Sequence, residues 1–422
     1  MIYSKKGPGQ AYFFRFVIIL NVFVLSATIL SAQEIDLLLK GGHVIDPKNG
    51  IDAQMDVAIA GSKISQVAVN IPAGMARKVI DVNGLYVTPG LIDMHAHHFP
   101  GVSAYRAGDP MPDDFALRTG VTTSIDAGSS GWKSFSAFKE QTIDQSKTRV
   151  LAWLNIVGEG YLGRVPYEQN TADMDAKLTA MEVGMNKDYI VGIKVAHYIG
   201  GDWIPVDRAV EAADLADVPV MVDFGEHHPP LPIKELFMTH LRPGDIFTHC
   251  FAADPESRET VVDEEGQVKP FIFDAQHRGI FFDVGHGGGA FAFSQAIPAL
   301  EQGFIPNSIS TDFNKNSKNG AMKNLLNVMS KFMAMGLDLQ TVIKMTTMNP
   351  AGEIKREELG NLSVGSEADI AVLNLRKGEF GFTDVRRTKI KGNQKLEAEL
   401  TLRAGKIVWD LNGLSADEWK KE

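Results

Sequence analysis

The 422-residue chain is 44% hydrophobic and 22% charged, ordinary proportions for a soluble globular enzyme with a large core and an accessory unit. Its formal net charge of −10 lacks the basic footprint that nucleic-acid binding requires, so no nucleic-acid partner is expected. Cys250 is the only cysteine, which excludes a disulfide within the chain and leaves stability to packing.

The first 33 residues have the layout of a secretory signal peptide. Lys5, Lys6 and Arg15 precede an apolar run over 16–30, and the small residues Ser31 and Ala32 stand before the acidic Glu34. That run is shorter than the ~20 residues of a membrane-spanning helix. Residues 1–33 are therefore expected to be cleaved, giving an exported, periplasmic or secreted protein that meets the membrane only through this segment. An uncleaved anchor is the alternative.

From residue 34 to 88 short apolar runs alternate with turn signals such as Gly41-Gly42, Gly61-Ser62 and Asn83-Gly84, which reads as a small β unit. After Pro89 the rhythm changes. Strands are expected at 90–97, 122–126, 149–155, 190–195, 218–223, 246–250, 280–284 and 308–312, with helical patterns between most of them, for example 171–183, 206–216 and 293–302. Eight alternating units imply an α/β fold, a closed (β/α)₈ TIM barrel, whose chemistry sits at the C-terminal ends of its strands. Helical stretches at 323–335 and 339–345 follow, and the β pattern returns from about 359. The expected organisation is a barrel over 89–355 inserted into a small β-sandwich domain made of 34–88 and 356–422.

The candidate functional residues fall at the expected strand ends. Pro89–Phe99 reads P-G-L-I-D-M-H-A-H-H-F. Side chains two apart on a strand share a face, so His95 and His97 should project together with Asp93 behind them in the same row. Two neutral imidazoles form half of a divalent-metal site. Lys194 lies in an apolar strand, where a charged amine is costly, and a depressed pKa would let the free amine add carbon dioxide as a carbamate. His249 ends Asp-Ile-Phe-Thr-His, and alternation places it on one face with Phe247 while Thr248 and Cys250 take the other. Asp223 ends the fifth strand and Asp312 the eighth. Either could ligate a metal, and Asp312 could also take a proton from metal-bound water. Glu226, His227 and His228 follow Asp223 in a loop. Asp283-Val-Gly-His-Gly-Gly-Gly follows the seventh strand; its glycines permit close backbone approach to a ligand, so His286 and Gly287 are candidate substrate-binding residues, with Asn314 beside Asp312. The loop lacks the spacing and lysine of a Walker phosphate loop.

The ordered set of Pro-Gly-Leu-Ile-Asp-x-His-x-His, Lys194, His249 and Asp312 resembles the amidohydrolase superfamily, and within it the dihydroorotase-like amidohydrolase/deacetylase branch. Residues 241–251, 282–291 and 365–372 are similar to that branch as well, so the resemblance covers nearly all of the chain after residue 33. It implies a metal-dependent hydrolase of carbon–nitrogen bonds with one or two divalent ions per chain, zinc first and manganese as the alternative. His95, His97 and Asp312 would hold one ion and His249 would help to hold the second, with carboxylated Lys194 between them; Asp312 would carry the proton to the leaving nitrogen. The chain departs from the branch at Asp223, where a histidine is usual, at Ala196, where an arginine is frequent, and at Asn314, where a histidine is frequent. The expected substrate is a small N-acyl or N-acetyl amide. A dipeptidase- or esterase-like hydrolase with the same centre, or a degenerate barrel serving as a binding protein, are the alternatives. Association into a homo-oligomer is compatible with a barrel of this size.

Overall fold

The computed structural model describes residues 35–420, except 102–107, 164, 224, 226, 228–229 and 255–257. The expected signal segment, Glu226 and His228 lie outside the described residues. The chain begins with β1 (Ile35–Asp46), β2 (Ile51–Ala60), β3 (Lys63–Ala68), β4 (Ala76–Asp81) and β5 (Tyr86–Pro89). One edge of β1 pairs with β2; the other takes β4 beside its first half and β5 beside His43 and Val44. The change of partner falls near an irregularity between Leu39 and Gly42, where Gly41 has φ +77° and can turn the strand.

Beyond Gly90 come β6 (Leu91–Ala96), β7 (Val121–Gly131), β8 (Arg149–Asn155), β9 (Ile190–Val195), β10 (Val220–Asp223), β11 (Ile246–Thr248) and β12 (Phe281–Phe282). They form a seven-stranded parallel sheet in sequence order. Almost every residue from β6 to β11 is buried, as expected of a parallel sheet covered on both faces. One face holds an apolar cluster with Met94, Ile125, Trp153, Met221 and Ile246, and the helices contribute to a second, larger cluster. The helix Ile204–Ala216 is an example: Val206, Ala209 and Ala213 line its buried side at helical spacing, Pro205 starts it, and Asp217 in left-handed backbone ends it.

The expected eighth strand is not formed as one. The segment 308–313 makes isolated parallel bridges instead, Asp283 to Ser308 on the β12 side and Ala96 to Phe313 on the β6 side. Side chains explain the loss of regular pairing. Ser308 and Ser310 donate to the carboxylate of Asp283, Thr311 donates to Asp93 through both its amide and its hydroxyl, and Asp312 has φ +48°.

The last strands, β13 (Ile370–Thr383), β14 (Lys389–Arg403) and β15 (Lys406–Asp410), return to the beginning of the chain. β13 lies antiparallel to β5, so both chain ends build one sheet ordered β15-β14-β13-β5-β1-β2-β3, with β4 on β1. The sequence predicts a sandwich; the strands are hydrogen-bonded as one branched eight-stranded sheet with an apolar cluster of its own around Leu39, Ile59, Val87 and Leu402. Several polar contacts tie this sheet to the parallel one and its helices. For example, Arg149 at the start of β8 pairs with Glu367 and Asp369 at 2.6 Å each, and Leu396 of β14 donates its amide to Ser330 in the helix Leu325–Ala334.

Candidate metal centre

The site lies where β6, β9, β10 and β11 end. Ile92 and Met94 belong to the inner apolar cluster, yet His95 faces the site, so the alternation slips where the pairing with β7 shifts between Asp93 and Ala96. Asp93 is consequently not in a row behind the histidines. It reaches sideways to Thr311 and joins the 308–313 segment to β6, with burial pushing its pKa up to about 7.

His95 and His97 do converge. Their Nε2 atoms lie 3.8 and 3.2 Å from Oδ1 of Asp312, and the three residues offer ligand atoms all within 4.8 Å of one another. The other ring nitrogens are held from behind: His95 Nδ1 meets Thr248 Oγ1 at 2.9 Å, which donates to Asp283, and His97 Nδ1 meets Ser129 Oγ at 3.1 Å. Such outer bonds fix the ring plane and leave Nε2 for a metal. Burial, reinforced by the nearby Lys194 amine, pulls the pKa of His95 down to about 3, so its ring is neutral, the form a metal ligand needs. Lys194 is fully buried with Nζ 3.2 Å from His95 Nε2. Burial lowers its pKa against the pull of Asp223, Asp312 and Asp283.

His249 also reaches the site, by a route that alternation misses. Phe247 packs outward against Phe237 and Phe282, while Thr248 faces His95. His249 should then share the outward face of Phe247, but its φ of +60° turns it back, and its ring centroid lies 4.9 Å from that of His95. Its Nδ1 faces the carbonyl of Gly285 and its Nε2 lies 3.3 Å from Oδ2 of Asp223. Asp223 sits at the end of β10 as expected. Burial alone would raise its pKa, but His249, His197 and Lys194 bring it well below the usual carboxylate range.

Above these groups opens a cavity of about 270 Å³ lined by His97, Tyr161, His197, Asp223, His249 and Asp312, with Asn314 and Lys315 at its edge. Asn314 also donates to Asp312 Oδ1 at 3.1 Å, so it supports the carboxylate as well as facing the cavity. His286 is not a cavity residue. It is fully buried, stacked on Phe291 with centroids 4.5 Å apart, and takes a 2.6 Å hydrogen bond from Lys331. Gly287 serves Asp312: a Cβ there would stand 2.4 Å from Asp312 Oδ2. His227 is buried near Tyr198 and Trp203. Cys250 is buried in the larger apolar cluster.

Comparison with known proteins places this arrangement. A model of the amidohydrolase family matches residues 248–409. A deacetylase of Brucella anthropi is 35% identical over 346 residues, covering 79% of this chain and 82% of its own. The chain belongs to the amidohydrolase family. As an amidohydrolase it is a hydrolase of carbon–nitrogen bonds. A deacetylase of Enterococcus faecalis is 30% identical and matched over 99% of its length. The crystal structure of an adenine deaminase superposes with a TM-score of 0.80 at 29% identity, covering 89% of this chain and all of the other; that of a dihydroorotase gives 0.77 at 28%, covering 89% and 99%.

Sequence reading missed several neighbours of the amidohydrolase site. His197 stands three residues after Lys194, the wrong parity for a shared strand face, but φ +53° at His197 turns its ring toward Asp223. Glu168, wholly buried, holds His197 Nδ1 at 3.0 Å, and Arg258 approaches Asp223 Oδ1 at 3.4 Å. Glu168 comes from a single 3-10 turn (Tyr167–Gln169) and Arg258 from an irregular segment, both too short to show periodicity. The only available signal for His197 was its closeness to Lys194.

Proposed function

We propose that this amidohydrolase is an exported, metal-dependent deacetylase that cleaves the amide of a small N-acyl compound, N-acetyl compounds first among them. The observation that carries the reading is the convergence of His95 Nε2, His97 Nε2 and the Asp312 carboxylate beside the buried Lys194 amine at the foot of the cavity. The donor set suits a divalent ion: two imidazoles with Nδ1 already engaged and one carboxylate. His95, His97 and Asp312 would hold one ion. Asp223 and His249 would serve a second, with carboxylated Lys194 as an anionic ligand near both. Zinc is the first expectation, and the oxygen donor Asp223 keeps manganese in view. Such an ion makes water more acidic and polarises a carbonyl.

The chain's own groups supply the rest. A Lys194 amine, its pKa lowered by burial, would attack carbon dioxide and release a proton, becoming a carbamate anion that bound cations would stabilise among the surrounding carboxylates. Asp312 takes a proton from the attacking water and delivers it to the leaving nitrogen. Asn314 steers its Oδ1 and Gly287 leaves room for its Oδ2. The 308–313 segment, bridged to both edges of the parallel sheet, is read as the eighth unit of a closed (β/α)₈ barrel that presents Asp312 to the strand ends. The names of the deacetylase relatives support the acetyl group, and the basic-then-apolar layout of residues 1–33 supports export.

Metal content per chain after purification in bicarbonate without chelator, followed by assays on N-acetyl amino acids, dipeptides and acetyl esters, tests the reading. One or two ions and release of acetate from N-acetyl compounds are expected. A chain that takes up neither zinc nor manganese on reconstitution would instead be a binding protein.

A further inference from the structure

Across the cavity from His97, a second group closes on one carboxylate oxygen. Asp223 Oδ2 lies 3.3 Å from His249 Nε2 and 3.4 Å from His197 Nε2, while Arg258 Nη2 approaches the other oxygen at 3.4 Å. Both rings are held from behind. His249 Nδ1 faces the Gly285 carbonyl, and His197 Nδ1 lies 3.0 Å from Oε2 of the buried Glu168. A carbonyl only accepts, so the hydrogen of a neutral His249 sits on Nδ1 and the Nε2 lone pair points at the Asp223 oxygen. A Glu168 carboxylate imposes the same tautomer on His197. With both rings neutral, two imidazole lone pairs and a carboxylate oxygen face a common space, an arrangement that is satisfied when a proton or a metal cation enters it. Imidazoles tied to outer acceptors through one nitrogen and converging through the other are set as metal ligands.

We propose that His197 is a ligand of a second divalent ion together with Asp223 and His249, and that Glu168 is the positioning residue that fixes its ring. The proposal rests on the metal reading above. β9 thus contributes twice, through Lys194 within the strand and through His197 just beyond it. The left-handed backbone at His197 is part of the device, since regular strand geometry would carry the ring to the other face.

The test is metal binding by the full chain in bicarbonate buffer, read by elemental analysis, by zinc titration calorimetry and by the visible spectrum of the cobalt form. Wild type is expected to hold about two ions per chain. His197→Ala should hold about one and lose one component of the cobalt spectrum, and Glu168→Gln should weaken the second site by about 10–100-fold while leaving the first unchanged. Two ions bound by His197→Ala with wild-type affinity would overturn the proposal. So would a wild type that binds a single ion indifferent to His197→Ala, although the first centre would then stand. No ion bound by wild type would remove the metal reading itself, and this inference with it. Should His197→Ala fail to fold, Glu168→Gln decides alone, and unchanged second-site affinity overturns the proposal.

Discussion

The two sides of the cavity are built by different means. On one side His95 near the end of β6 and His97 just beyond it stand two residues apart on extended backbone and converge on Asp312. On the other side His197 and His249 lie just past β9 and β11, at φ +53° and +60°, and only the turn of the backbone brings their rings to Asp223. Strand periodicity thus places the first pair, and local left-handed backbone places the second. That conformation is uncommon for residues with a side chain and costs stability, so it persists where surrounding structure enforces it. The Gly285 carbonyl and the Glu168 carboxyl are among the enforcing contacts.

The sharpest test of this division is to remove a carboxylate from each side. Asp312→Asn should lower kcat by about 10³-fold, within the range expected for loss of a general acid–base group, with a small change in KM. Asp223→Asn should cost less in kcat and more in metal occupancy, because it removes a ligand and not the proton carrier. Steady-state kinetics with parallel metal analysis reads both, and a larger kcat loss in Asp223→Asn would reverse the assignment of the two sides. Next in size is Lys194→Met. Activity and metal should fall together, whereas the metal-free protein should gain about 1 kcal/mol or more, because a buried amine is replaced by an apolar chain of similar length. A metal-free Lys194→Met that melts below wild type would show that the amine is well satisfied in the fold.

The same division explains what could be read from the sequence. The β unit of the early chain, most of the parallel strands and the His95–His97 pair follow from runs and alternation that persist over several residues. Asp93, His249 and His197 do not. A register slip in β6 sends Asp93 toward Thr311, and positive φ rotates the two histidines against the parity of their strands. His286 departs from its expected place for another reason. A glycine-rich loop suggests ligand contact, but nothing local reveals that Lys331, 45 residues later, draws the ring into the core. The 308–313 segment looks like a strand by composition, whereas its hydroxyls are spent on the buried carboxylates Asp93 and Asp283. Long-range polar partners leave no periodic trace.

The loop after β12 touches both sides, so it can weaken the contrast between them. Gly285 accepts from His249, and Gly287, at φ +55°, packs on Asp312. Gly287→Ala should displace the carboxylate and cost about 1–2 kcal/mol of stability, with kcat down roughly 10-fold and metal content at the His249 side unchanged. Equal loss at both sides, read by metal content and kcat together, would mean that the loop moves as one body.

The smallest effect on the chemistry is expected from Lys331, which acts on that loop from outside. Its Nζ meets His286 Nε2 at 2.6 Å and the Ala321 carbonyl at 2.8 Å, and His286 Nδ1 meets the Gly287 carbonyl at 2.9 Å. Burial lowers the Lys331 pKa to about 7, with a further push from Lys323. An unfolded chain binds this proton up to about pH 10.4. Between about pH 7 and 10 the unfolded state therefore holds more protons than the native state, and wild-type stability gains up to ~1.4 kcal/mol per pH unit from this group. Lys331→Met lacks the gain, so the stability of wild type minus that of the variant should climb as pH rises from 7.5 to 9.5, while kcat changes only a few-fold. Denaturant unfolding at several pH values measures it. A difference that stays flat would place the proton on Lys331 in the native state, and the His286 contact would then be a charge-assisted bond that holds the loop far more strongly than a neutral amine can.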